Sequence, residues 1–89
     1  MAIRIVALAD VRQALADIGR EDAKYLSDEE LQEKYLWSDL ELYPDDISDM
    51  LCSLKERHSL YVSNFVKRQS SYGIDMTVRE FIAAAARGF

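Results

Sequence analysis

Cysteine and histidine are almost missing from this 89-residue chain, and each scarcity removes a class of chemistry. Cys52 is the only thiol, so an intramolecular disulfide and a cysteine-rich metal site are both excluded. His58 is the only imidazole, so no site needing two histidines can be built. No stretch approaches the roughly 20 apolar residues of a membrane span. Met1–Ala9 lacks a basic leader, and its apolar run is broken by Arg4 and ended by Asp10. No secretory signal is read there, and the cytoplasm is the expected location. Internal repeats and low-complexity tracts are also missing. The one proline, Pro44, falls at a single informative place.

What is present is ordinarily globular. With 49% hydrophobic and 30% charged residues, the chain can bury a core and is expected to form one domain, 1–89. Its charge is unevenly spread. From Glu21 to Glu56, twelve acids face three lysines, a net −9, while both flanks are mildly basic. An acidic middle repels phosphate backbones, so nucleic acid is not an expected partner. A protein with a basic patch would be attracted and steered toward it. The alternative is a solvated acidic face that serves solubility.

Four segments carry helical periodicity. Val11, Ala14, Leu15 and Ile18 share one face, with Asp10 and Gln13 as start signals and Gly19 as the stop. Ile3, Ile5 and Val6 either extend this helix backwards or form an extended arm. Ser27 and Glu30 make a capping box, stapled by Leu26 and Leu31, for a short helix ending near Leu36 or Trp37. The main helix opens at Pro44, favoured in a first turn because its missing N–H would be unpaired there anyway. Asp45, Asp46 and Asp49 near its start complement the helix dipole. Ile47, Met50, Leu51, Leu54 and His58 form the expected buried stripe, and Lys55, Arg57 and His58 supply positive charge at its end. Thr77 and Glu80 cap the last helix, Met76 and Phe81 staple it, and Val78, Phe81, Ile82 and Ala85 face the core, with Gly88 as its stop. Between them, Leu60, Val62, Phe65 and Val66 read as buried, 64–69 as a short helix, and Ser70–Gly73 as a loop. The expected fold is a small all-α bundle.

The order and spacing of these motifs resemble the acyl carrier protein family over roughly residues 8–86. Carriers open their second helix with an Asp-Leu-x-x-Asp-Ser-Leu segment, and Asp39–Leu40 is similar to its first pair. Met50, Leu51, Leu54 and Val62 match the apolar positions of that helix and its exit, and Met76–Ile82 resembles the start of the final helix. The resemblance implies a small four-helix bundle of acyl-carrier-protein type. A long loop bearing a short helix follows the first helix, and the third is short or irregular. In the family the serine of that segment carries 4′-phosphopantetheine. Here the Asp-Ser-Leu triplet falls on Tyr43–Pro44–Asp45, and proline has no oxygen for phosphoryl transfer. The chain also departs at His58, where an aromatic is usual, and in a longer segment between Val62 and Thr77.

No cofactor is therefore expected at Pro44. Phosphopantetheine is implied only if Ser38, in the preceding loop, or Ser48, one turn into the helix, substitutes. The commoner reading makes these a loop serine and a solvent-facing serine. Cys52 reads as an inert, half-buried thiol, and His58 as a partly buried, hydrogen-bonded side chain. Asp45, Asp46 and Asp49 lack a glycine-bearing calcium loop, so they are read as capping residues first and partner contacts second. No nucleophile–base pair or phosphate loop can be assembled, so an enzyme is not expected. The leading expectation is a carrier-like binding module that docks on acyl- or peptidyl-processing enzymes. Asp45, Asp46, Asp49 and Glu56 would meet a basic patch, with Tyr43 and Trp37 as aromatic anchors. Alternatively, Trp37 plugs the end of the bundle. A working carrier on a substitute serine and an unrelated helical adaptor are the competing readings.

Overall fold

The computed structural model describes residues 5–62 and 75–86. Among them the chain forms four α-helices: α1 (Leu8–Asp17), α2 (Asp28–Glu33), α3 (Pro44–Cys52) and α4 (Val78–Ala85). A 3-10 turn spans Glu21–Tyr25, and a π-helical turn, Ser53–Arg57, continues α3. No strand forms among these residues, only two isolated bridges. The short helix expected at 64–69, the loop at Ser70–Gly73, the burial of Phe65 and Val66, and the stop at Gly88 lie outside the described residues.

Each helix begins where side-chain chemistry satisfies its unpaired amides. Ser27 and Glu30 form the expected capping box, each accepting the other's backbone N–H at 3.2 Å. Thr77 and Glu80 do the same at the head of α4. At α1 the expectation is corrected. The helix starts at Leu8, and Asp10 reaches back from its first turn to accept the Ala7 amide at 2.9 Å. Ahead of the helix Ile5 follows the extended alternative, bridging in parallel to Tyr61, while Ile3 lies outside the described residues. Gly19, at φ +88°, ends α1 with a paired closure in which its own N–H reaches Ala16 and that of Arg20 reaches Leu15.

The short second helix ends at Glu33 rather than near Leu36 or Trp37. From Lys34 the backbone is drawn out to pair with the entry of α4. The Val78 N–H donates to the Lys34 carbonyl and the Leu36 N–H to the Met76 carbonyl, at 2.9 and 2.8 Å. These cross-chain bonds replace the ones another helical turn would have made.

The apolar stripe of α3 and the π turn buries Ile47, Met50, Leu51 and Leu54. Fully burying a side chain of this size contributes about 1.5–3 kcal/mol, far more than helix propensity supplies. His58 does not continue the stripe. The π turn inserts a residue, rotating the chain beyond it by about 100°, and His58 stands half-buried beside α1 instead. Ser59 then takes φ +53°, and the Leu60 N–H closes back on the Leu54 carbonyl at 3.0 Å.

α1 lies against α3, the π turn and α4, and α2 packs on α4. Val11, Leu15, Leu31, Leu36, Leu42, Met50, Leu54, Val78 and Phe81 form the centre of a single apolar cluster.

Candidate functional site

The head of α3 is fixed from both sides. The turn before it is pinned by Asp75, whose carboxylate accepts the Trp37 N–H at 2.9 Å and the Ser38 N–H at 3.3 Å. The Ser38 hydroxyl donates to the same carboxylate at 2.5 Å. Partial burial tends to raise the Asp75 carboxyl, but these donors outweigh it and hold the group below its ordinary range. Asp39 accepts the Tyr35 N–H, and Leu36 and Leu42 anchor the turn in the core, joined by a backbone bond of 2.8 Å. Trp37 is left pointing outward.

Tyr43 precedes α3 in extended conformation, and its amide donates to Asp46 at 3.0 Å. Pro44 follows as the first helical residue, exposed and without a donor to lose. Arg20 adds a brace from the end of α1. Its Nη2 donates to the Glu41 carbonyl and to Asp46, both at 3.1 Å. Asp46 is thus occupied by its own fold, a commitment that charge and spacing alone do not reveal.

The remaining acids face water. Asp45, Asp49 and Glu56 are exposed, and no hydrogen bond or ion pair holds Asp45 or Asp49 among the described residues. Ser48 is also exposed, at the edge of a shallow depression of about 200 Å³ with Leu51, Cys52, Lys55 and Glu56. Cys52 corrects the half-buried expectation, because its thiol is exposed. The Glu56 carboxylate, through its charge and a hydrogen bond, and then desolvation and Asp49, push the thiol pKa up, which lowers its thiolate fraction.

Trp37 and Tyr43 meet at the head of α3. Their ring centroids are 4.9 Å apart with planes at 68°, an edge-to-face contact. Trp37 is 48% exposed and Tyr43 58%, so the tryptophan does not plug the bundle. Asp49 and Glu56 stand away from this pair, along a second depression of about 280 Å³ near the end of α1.

Beside that depression lies a polar cluster centred on Asp17, a residue the sequence does not single out. Asp17 Oδ2 accepts the Ser53 hydroxyl at 2.8 Å and lies 3.1 Å from His58 Nε2. Asp17 Oδ1 takes Gln13 Nε2 at 3.1 Å and faces Arg57 at 3.8 Å. Ser53, then Gln13 and His58, hold the Asp17 pKa down to about 2. Serine and imidazole meet the same carboxylate oxygen and not each other, so the trio cannot relay a proton as a catalytic triad would. It is a clasp between α1 and the π turn. Its sequence signals are His58, whose reading as a partly buried, hydrogen-bonded side chain holds, and the polar Ser53 in an otherwise apolar stretch.

The pH dependence of this clasp follows from its sign. A carboxyl lowered on folding contributes stability above its unfolded pKa near 4, and that contribution fades as pH falls toward 2. Melting temperatures of the natural chain and Asp17→Asn should therefore differ most above pH 4 and converge by about pH 2. A constant gap across that range would show that the charge of Asp17 does not matter.

Among the described residues, no group of three or more histidine, cysteine or acidic side chains is arranged to hold a metal ion. No helix among them is long and apolar enough to cross a membrane. Phosphopantetheine does not fit at Pro44, which offers no hydroxyl for the phosphodiester. No protein-family model, curated protein or solved structure matches the chain.

Proposed function

We infer that this chain is a carrier-like binding module without a phosphopantetheine arm, docking through the outward face of α3 on acyl- or peptidyl-processing enzymes. One observation carries the reading. The helix that would present a carrier's serine opens on exposed Pro44, and its outer face keeps Asp45 and Asp49 free for a basic partner. The resemblance in motif order supports the same reading. Ser38 is the weaker substitute for the lost serine, because its hydroxyl already braces the turn through Asp75. Ser48 is the more accessible.

A single mixture tests the proposal: the chain, coenzyme A, a broad-specificity phosphopantetheinyl transferase and a competent carrier. The mass of this chain should stay unchanged while the competent carrier is loaded. Excess chain should slow that loading, salt should relieve the effect, and Asp45→Lys with Asp49→Lys should abolish it. A mass gain lost in Ser38→Ala or Ser48→Ala would make the protein a working carrier instead. No gain and no competition would favour the unrelated helical adaptor.

A further inference from the structure

Trp37 and Tyr43 are both held by the fold and left open to solvent. The Trp37 amide is fixed on Asp75 and its carbonyl accepts the Glu41 N–H at 3.1 Å, while the Tyr43 amide is fixed on Asp46. Backbone so restrained presents its rings with little further ordering to be lost on binding. The edge-to-face contact uses one edge and part of one face, and the remaining ring surface is in water.

The surroundings indicate what that surface would take. Glu41 and Asp45 lie two residues to either side of Tyr43, both exposed, and neither side chain has a hydrogen bond or ion pair among the described residues. An aromatic face carries negative quadrupolar charge, and nearby carboxylates deepen its attraction for a cation. Elsewhere on the molecule such a demand is met internally, with the Lys24 ammonium 5.2 Å from the Tyr25 ring centroid. No cation stands over Trp37 or Tyr43 among the described residues. Arg20, the base tied to the head of α3, is spent on Asp46 and the Glu41 carbonyl.

We propose that the Trp37–Tyr43 corner is the recognition element of the docking surface, and that it takes an arginine side chain from the partner protein. This rests on the carrier-like reading for the kind of partner and names the chemistry of the contact. A planar guanidinium stacks on a ring while donating to carboxylates at its edge; a lysine ammonium has the charge without the plane. A phosphate-bearing ligand is repelled by the net −9 of residues 21–56. A second copy of the chain would bring the same acidic segment against itself.

Trp37 is the only tryptophan, so its fluorescence reports on the corner directly. The full chain is titrated with six-residue peptides alternating glycine with arginine, lysine or glutamate. The arginine peptide should change the emission saturably, the lysine peptide should bind about three- to fivefold more weakly, and the glutamate peptide should have no effect. Tyr43→Leu, an exchange at an exposed side chain, should weaken the arginine peptide about fivefold with melting temperature little changed. Equal responses to arginine and glutamate peptides, or indifference to Tyr43→Leu, would overturn the proposal. So would emission that changes with protein concentration alone, the mark of self-association. Running Tyr43→Leu in the transferase competition separates the two readings. If it competes as well as the natural chain while the Asp45/Asp49 reversal does not, docking on α3 stands and the arginine corner falls. If the natural chain fails to compete yet binds the arginine peptide through Tyr43, the corner stands and the carrier-type partner falls.

Discussion

Arg12→Met is expected to cost about 2–3 kcal/mol of stability, because two backbone carbonyls lose a charged donor at once. Arg12 lies on α1, and its Nη1 donates to the Ala23 carbonyl at 2.6 Å and to the Leu26 carbonyl at 2.8 Å. Those carbonyls belong to the 3-10 turn and its exit; the Ala23 carbonyl also accepts the Leu26 N–H at 3.3 Å, so the loss falls mainly on the Leu26 carbonyl. The same guanidinium reaches Asp28 at 2.8 Å through Nη2, but that carboxylate is largely exposed and the pair is worth little by itself. Methionine keeps the apolar stem and removes only the donors. For a domain of this size the loss corresponds to a fall of roughly 10–20 °C in melting temperature. Asp28→Asn is the control, with an expected cost of about 0.5 kcal/mol or less. If the two variants melt together, the carbonyl contacts contribute nothing, and α1 holds the turn through apolar packing alone.

Phe81→Ala should be the most damaging single change, at about 3–5 kcal/mol. Phe81 is fully buried on α4, the helix that packs on both α1 and α2, so a cavity there loosens two contacts together. Native stability for a chain of this length is roughly 5–13 kcal/mol, and the variant is expected to lose a large share of it. Urea titration should show the midpoint falling by roughly 2–3 M. Phe81→Leu, which retains most of the volume, should lose less than half as much. Similar midpoints for both variants would mean that the core closes over the gap without difficulty.

The helices were legible in the sequence where one local device decided them. Ser27 with Glu30, Thr77 with Glu80, and Gly19 are devices of three or four residues, complete within the segment they control. Boundaries set by distant partners were not legible. The end of α2 depends on Met76 and Val78, which take over the pairing some forty residues further along the chain. The departure of His58 from the stripe depends on an inserted residue that the 3.6 period cannot register. The same holds for the candidate site. Trp37 and Tyr43 stand out as aromatics at the entrance of the main helix, but their contact follows from the turn pinned by Asp75. Asp46 counted as one of four docking acids, yet Arg20 and the Tyr43 amide claim it. Arg12, Arg20, Asp17 and Asp75 drew no notice, because a charged residue acting as a brace has no local signature.

The pairing between the turn at Trp37 and the residues around Met76 also ties the aromatic corner to a part of the chain made much later. Asp75 arrives 38 residues after Trp37 in the chain. Until it does, the Trp37 and Ser38 amides lack the acceptor they have in the fold, and the ends of α2 and α3 have nothing to fix their separation. The capping boxes of α2 and α4 are local and can form one by one, but the turn beneath the aromatic corner is completed only once Asp75 is present. A molecule lacking Asp75 and Met76 would carry Trp37 and Tyr43 and still lack the bonds that hold the turn between them and α2.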